Sequence, residues 1–252
     1  MARSDRTESG AAAHAEGTTP RSAGHAGRTA PGTVVLINPN TSSATTATMT
    51  ALARRALGPA LPVRGVTAAR GPRMLTDPEA LHAAAPEVLA AGRRAVREGD
   101  CAALLVAAFG DPGLAALRAA VRVPVVGLGE AALLEAADGG TPFGIATVTP
   151  LLADSIHARV TALGLADRYT GLRLTAGAPE RLAADPELLL DRLEHAVRAC
   201  AERDGARAVV IGGGPLGEAA EVLRARCAVQ VVAPIPAACR ALTRLAAREP
   251  RH

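Results

Sequence analysis

Two stretches of the chain have the composition of anion-holding turns: Leu104–Gly113 (LLVAAFGDPG) and Val209–Gly217 (VVIGGGPLG). Each is an apolar run, then a glycine turn with free backbone N–H groups, then an amphipathic helix. N–H groups at a helix start favour carboxylates, enolates and phosphates. The run Gly212-Gly213-Gly214 exceeds what one turn needs and points to close approach of a ligand to the backbone. A third polar loop, Asn38-Pro39-Asn40-Thr41-Ser42, closes an earlier strand. Thr41 or Ser42 suits a helix cap, whereas two asparagines around Pro39 suit contact with a ligand, Asn38 above all. Asp111 is the best-placed ionisable group. It reads either as the N-cap of the helix after Pro112 or as a catalytic base that orients a water or moves a proton. Glu130 stands similarly after a glycine turn.

Composition removes other chemistries. All 28 Lys+Arg positions are Arg, so neither a Schiff-base lysine nor a Walker lysine exists. Aromatic residues are limited to Phe109, Phe143 and Tyr169, and the net charge is +4, which argues against a nucleic-acid groove. Cys101, Cys200, Cys227 and Cys239 form no CxxC pair and no zinc pattern, so no metal is expected and reduced thiols in a cytoplasmic protein are. No apolar run approaches the roughly 20 residues of a membrane span. Residues 212–217 fit G-x-G-x-x-G. Pro215 lies inside that match, however, and the following strand ends at Ala233 rather than at an acid, so a dinucleotide is not expected.

These loops need elements to hold them. Met1 to about Gly32 carries almost no large apolar residue and reads as a disordered tail (1–32). From Thr33 strands and helices alternate. Strands are expected at Val34–Ile37, Val63–Val66, Leu104–Ala107, Val123–Val126, Phe143–Thr149, Tyr169–Leu174, Val209–Ile211 and Val229–Val232. Helices are expected from Thr41/Ser42 to Leu57, from Glu79 to Glu98 with a break before Pro86, and over Leu114–Ala120, Gly129–Ala137, Leu151–Leu163, Pro186–Ala201 and Pro236–Ala247. The two glycine turns are repeated with their following valine strands, and Ile37–Thr41 matches Ala146–Pro150. The expected fold is therefore α/β, two pseudo-symmetric lobes with mostly parallel sheets. Lobe 1 is 33–140 plus a C-terminal helix at about 236–248, and lobe 2 is 141–235. The loops 38–42, 109–113, 147–150 and 212–217 then surround one cleft at the strand ends.

At Ile37–Ser42 (INPNTS), Ala107–Gly113 (AAFGDPG) and Val125–Ala132 (VVGLGEAA) the chain resembles the Asp/Glu/hydantoin racemase family, from about Thr33 to Ala246. The resemblance implies the same two lobes, a homo-oligomer, and cofactor-independent proton abstraction by two cysteines acting from opposite faces. The first cysteine position falls on Ala108 and the second on Gly213. What the resemblance leaves for binding is Asn38, the N–H groups of Phe109, Gly110, Gly213 and Gly214, and the hydroxyls of Thr147 and Thr149, which suit an enolate-like or carboxylate species. The expectation is a cofactor-independent isomerase or lyase-type enzyme acting on a small carboxylate or cyclic amide without a two-cysteine mechanism. Asp111 or a substrate group then moves the proton. Two alternatives stand beside it: a non-catalytic small-anion binder, and a racemase that uses Cys239 or a water.

Overall fold

A computed structural model of the chain describes residues 32–248; the expected tail lies almost wholly outside them. The elements run β1 (Thr33–Asn38), α1 (Ser43–Leu57), β2 (Val63–Thr67), α2 (Pro78–Arg97), β3 (Cys101–Val106), α3 (Leu114–Ala120), β4 (Val125–Gly127) and α4 (Leu128–Ala136). The second half follows with β5 (Phe143–Thr147), α5 (Ala153–Ala162), β6 (Tyr169–Leu174), α6 (Pro179–Ala184), α7 (Pro186–Glu202), β7 (Ala208–Ile211), α8 (Gly217–Arg226), β8 (Gln230–Val232) and α9 (Pro234–Arg248).

The helix starts are written in the sequence. Ser42 accepts from Thr45 N at 3.2 Å, Asp77 from Ala80 N at 2.8 Å and Asp185 from Leu188 N at 3.0 Å. Pro78 and Pro186 stand directly behind two of these caps, where a missing N–H removes no helical bond. Pro86 does not break α2, contrary to the expectation above. Pro86 is exposed, so its ring is accommodated on the outer face of the helix. The sequence reading gives no element between Leu174 and Pro186, where the structure has α6. Leu151 and Leu152 belong to a short 3-10 turn before α5.

The strands form two four-stranded sheets, β2-β1-β3-β4 and β6-β5-β7-β8, with every pair parallel. The two orders are the same when each half is counted from its own first strand. Alternation along the strands sorts the side chains into layers. Val34, Leu36, Ala103 and Leu105 from one sheet, and Phe143, Ile145, Ala208 and Val210 from the other, share one core that also takes in residues of α1, α4, α5 and α9. The opposite faces are covered separately. Val35, Ile37, Leu104 and Val106 lie with residues of α2 and α3, and Ala146, Val209 and Ile211 with residues of α7 and α8. The last helix returns to the first half, where α9 packs on α1 and α4.

Candidate active site

The carboxyl ends of β1, β3, β5 and β7 converge on a cavity with about 780 Å³ of space, part of it open to solvent. The two glycine turns meet across it: a Cβ built on Gly214 would lie 3.4 Å from the carbonyl oxygen of Ala107. Ala108, Phe109, Gly110, Gly213 and Gly214 all line the wall. The N–H groups of Ala108, Phe109, Gly110 and Gly214 make no hydrogen bond among the described residues. That of Gly213 is turned back to Ile211 O at 2.9 Å, so it is not a free donor. The remaining wall is largely apolar, with Met49, Met74, Leu81, Leu152 and Leu182 among its residues. Among the described residues, no Asp, Glu, His, Cys, Tyr or Arg lines this cavity.

Three expected contact residues stand behind the wall rather than in it. Asn38 is fully buried, and its Nδ2 is committed to Asn40 Oδ1 at 2.8 Å, Thr46 Oγ1 at 3.0 Å and Ser42 O at 3.1 Å. Its work is to fix Asn40, which does line the cavity. Asn40 Oδ1 also accepts from Ser42 N at 2.9 Å, which leaves the Asn40 Nδ2 donor without a partner among the described residues. Thr147 is likewise buried and donates to Gly212 O at 2.9 Å. Since a hydroxyl has one proton, Thr149 must be the donor in the 3.1 Å contact between the two hydroxyls. The Thr149 oxygen at the cavity wall is thereby left as an acceptor.

Asp111 is the third. Its side chain has no exposed surface, and its carboxylate faces away from the cavity into the start of α4. It accepts from Gly129 N at 2.9 Å and Glu130 N at 2.7 Å and pairs with Arg159 Nη2 at 2.7 Å. It therefore caps α4, not the helix that follows it, where Gly113 holds the N-cap position. The backbone of Asp111 is left-handed, φ +46°, a conformation that aspartate tolerates better than most side chains. Gly129 has no room for a side chain, because a Cβ there would overlap Phe109 O. Burial pushes the Asp111 carboxyl up to about 6, opposed by Arg159 and the two N–H groups. The folded value then lies above the ordinary 3.8, so the folded chain binds more protons between these values. This group's contribution to stability falls as pH rises from about 4 to 6 and is level above, with a total change on the order of 3 kcal/mol. Urea unfolding of the wild type and Asp111→Asn at successive pH values checks this. The gap between the two should change across that window only, since the amide does not titrate.

The cysteines stand apart from the cavity. Cys239 is buried between α9 and α1, with its Sγ 3.9 Å from Ala53 O, and burial pushes its thiol up to about 12. Cys200 is also buried, pushed up to about 11. Neither is a nucleophile or acid–base group near neutral pH.

The sequence model of the family described as Asp/Glu/Hydantoin racemase matches residues 34–242. The chain belongs to this family. It is 28% identical to the hydantoin racemase of Paenarthrobacter aurescens over 214 residues, which cover 85% of this chain and 91% of that protein. Among solved structures it is similar to an allantoin racemase from Klebsiella pneumoniae, with a TM-score of 0.81, 28% identity, and 85% and 87% of the two chains covered. A glutamate racemase from Francisella tularensis shares the fold alone, with a TM-score of 0.61 at 11% identity. Ala108 and Gly213 both line the cavity. The structure adds residues that the sequence reading does not assign to the cleft. Thr45 and Met49 reach it from the first turns of α1, and their i, i+4 spacing was the available signal. Arg159, in mid-α5, stands behind the cavity wall as the partner of Asp111, and it carried no signal in the sequence.

Proposed function

We propose that this protein acts on a small carboxylate or cyclic amide and stabilises an enolate-like species on backbone N–H groups, in a reaction that the protein does not begin by abstracting a proton. The observation that carries this reading is the chemistry of the cavity wall. Free N–H groups of residues 108–110 and 214 and the Asn40 amide offer donors to a developing oxyanion. Among the described residues, no side chain of the wall titrates near neutral pH, so none of them can act as the base of a two-base racemase. Cleavage of a C–C bond in which a carboxylate leaves as carbon dioxide keeps the electron pair on the α-carbon as an enolate without a base, and the apolar wall favours loss of the carboxylate's hydration. Water or a substrate group then supplies the proton. Family membership and hydantoin and allantoin racemases among the relatives support the class of substrate.

A panel of amino acids, 5-substituted hydantoins and substituted malonates in deuterated water tests this. Bond cleavage with one deuterium in the product supports it. Exchange of the α-proton without cleavage overturns it, because that requires a base the wall does not contain. The same lack of a titrating group favours a second reading, a small-anion binder without turnover, and tight binding with no reaction of any panel member would establish that one instead.

A further inference from the structure

A second chamber of about 770 Å³ opens beside the first and shares Leu81, Phe109, Gly110, Thr149, Leu152 and Gly212 with it. It is bounded by α5, whose Ser155 and Arg159 lie one turn apart on the lining face. Arg159 is the one charged residue in the walls of either chamber among the described residues. Its guanidinium is not exhausted by the protein. Nη2 holds Asp111 at 2.7 Å and Glu130 at 3.3 Å, while Nε is buried without any partner and Nη1 has none among the described residues. An unpaired buried donor beside a cavity calls for an acceptor.

The charge network explains how one could be accommodated. Glu130 is gripped by Arg118 through two bonds, at 2.7 and 3.1 Å, so it is satisfied without Arg159. The 3.3 Å contact between Arg159 and Glu130 is the longest of the set and the one an incoming carboxylate can replace. The 2.7 Å bond to the fully buried Asp111 carboxylate, itself pinned by two backbone N–H groups, holds the guanidinium in place.

We propose that the second chamber is a subsite for an anionic arm of the substrate, a carboxylate received by Arg159, with Asp111 as the residue that positions Arg159. The reading rests on the proposed function above, because it takes the first chamber to hold the planar carbonyl end of the same molecule. The substrate class is thereby narrowed to molecules with two ends, a carboxylic or amide carbonyl and a carboxylate one short arm away. Arg159 sets specificity and does not touch the reacting atoms.

Calorimetric binding of two matched probes tests this, hydantoin-5-acetic acid with the charged arm and 5-ethylhydantoin without it. The wild type is expected to prefer the charged probe by roughly tenfold or more, the usual worth of a charged hydrogen bond. Arg159→Gln should abolish that preference and keep the affinity for 5-ethylhydantoin, and Arg159→Lys should restore part of it. Ser155→Glu leaves the Asp111–Arg159 pair intact and places a competing carboxylate one helical turn from Arg159, so it should also remove the preference. This variant keeps the test valid where Arg159→Gln fails to fold. A preference unchanged in both variants, or no preference in the wild type while 5-ethylhydantoin binds, overturns the subsite and leaves the proposed function standing. Failure of the wild type to bind either probe overturns the cyclic-amide reading and the subsite with it.

Discussion

A chain carrying both Ala108→Cys and Gly213→Cys should exchange and racemise α-protons of the panel compounds, whereas each single variant should do neither at a comparable rate. Both positions line one cavity, and on the proposed function the unbonded N–H groups of Ala108, Phe109, Gly110 and Gly214 supply its oxyanion half, so two thiols would supply the acid and the base. A positioned acid or base contributes on the order of 10²–10⁴-fold, and a two-base exchange needs both at once, so the effect should be strongly non-additive. The substitutions differ in difficulty. Ala108 already carries a Cβ. A Cβ on Gly213 would meet Leu216 Cδ1 at 2.9 Å and Cγ at 3.0 Å, both atoms of a flexible side chain. Some loss of stability, about 1–3 kcal/mol, is the expected result of that crowding. Leu216→Ala added to the pair relieves it. Chiral chromatography with deuterium incorporation reads the outcome. An inactive double variant that still binds panel compounds would show that the donors at the turns are not aimed at a developing enolate.

Asp111→Ala should be among the most destabilising single substitutions in the described chain, by on the order of 3–5 kcal/mol. It removes one carboxylate and strands three donors: Gly129 N, Glu130 N and the Arg159 guanidinium. It also leaves an alanine at φ +46°. For a domain of this size the expected fall in Tm is about 10 °C, readable by calorimetry. The same substitution in a protein that used Asp111 as its base would leave stability nearly intact and remove activity. A near-wild-type Tm would therefore contradict the burial and bonding described for Asp111.

Why Asp111 and Asn38 read as ligand contacts in the sequence is a matter of direction. Composition and spacing place both at strand ends, which is correct, but not which way each side chain turns. Asn38 turns inward because the polar loop needs a buried amide to hold Asn40 and Ser42. Asp111 turns towards α4 because Gly127 and Gly129 leave the space for its carboxylate: a Cβ on Gly127 would lie 2.6 Å from Asp111 Cγ. The GLG sequence was visible, and its partner was not, since 18 residues separate Asp111 from Gly129. By contrast, strands, helices and the repeat were legible because each half buries its strands on both faces, and continuous valine and leucine runs record that burial directly. Arg159 was illegible for the opposite reason. An arginine in the middle of a helix is ordinary in a sequence, and only its unpaired Nε beside a cavity distinguishes it.

The return of α9 to α1 sets the order in which this chain can mature. Cys239 and Ala53 touch although 186 residues separate them, and the faces of α1 and α4 that α9 covers are apolar. During synthesis the first sheet emerges long before the helix that seals it, so those faces stay wet until nearly the whole chain has been made. Such long-range closure raises contact order and slows the final step of folding. Chains arrested before Pro234 should therefore bind a hydrophobic dye or a chaperone, and release it only when the last helix docks.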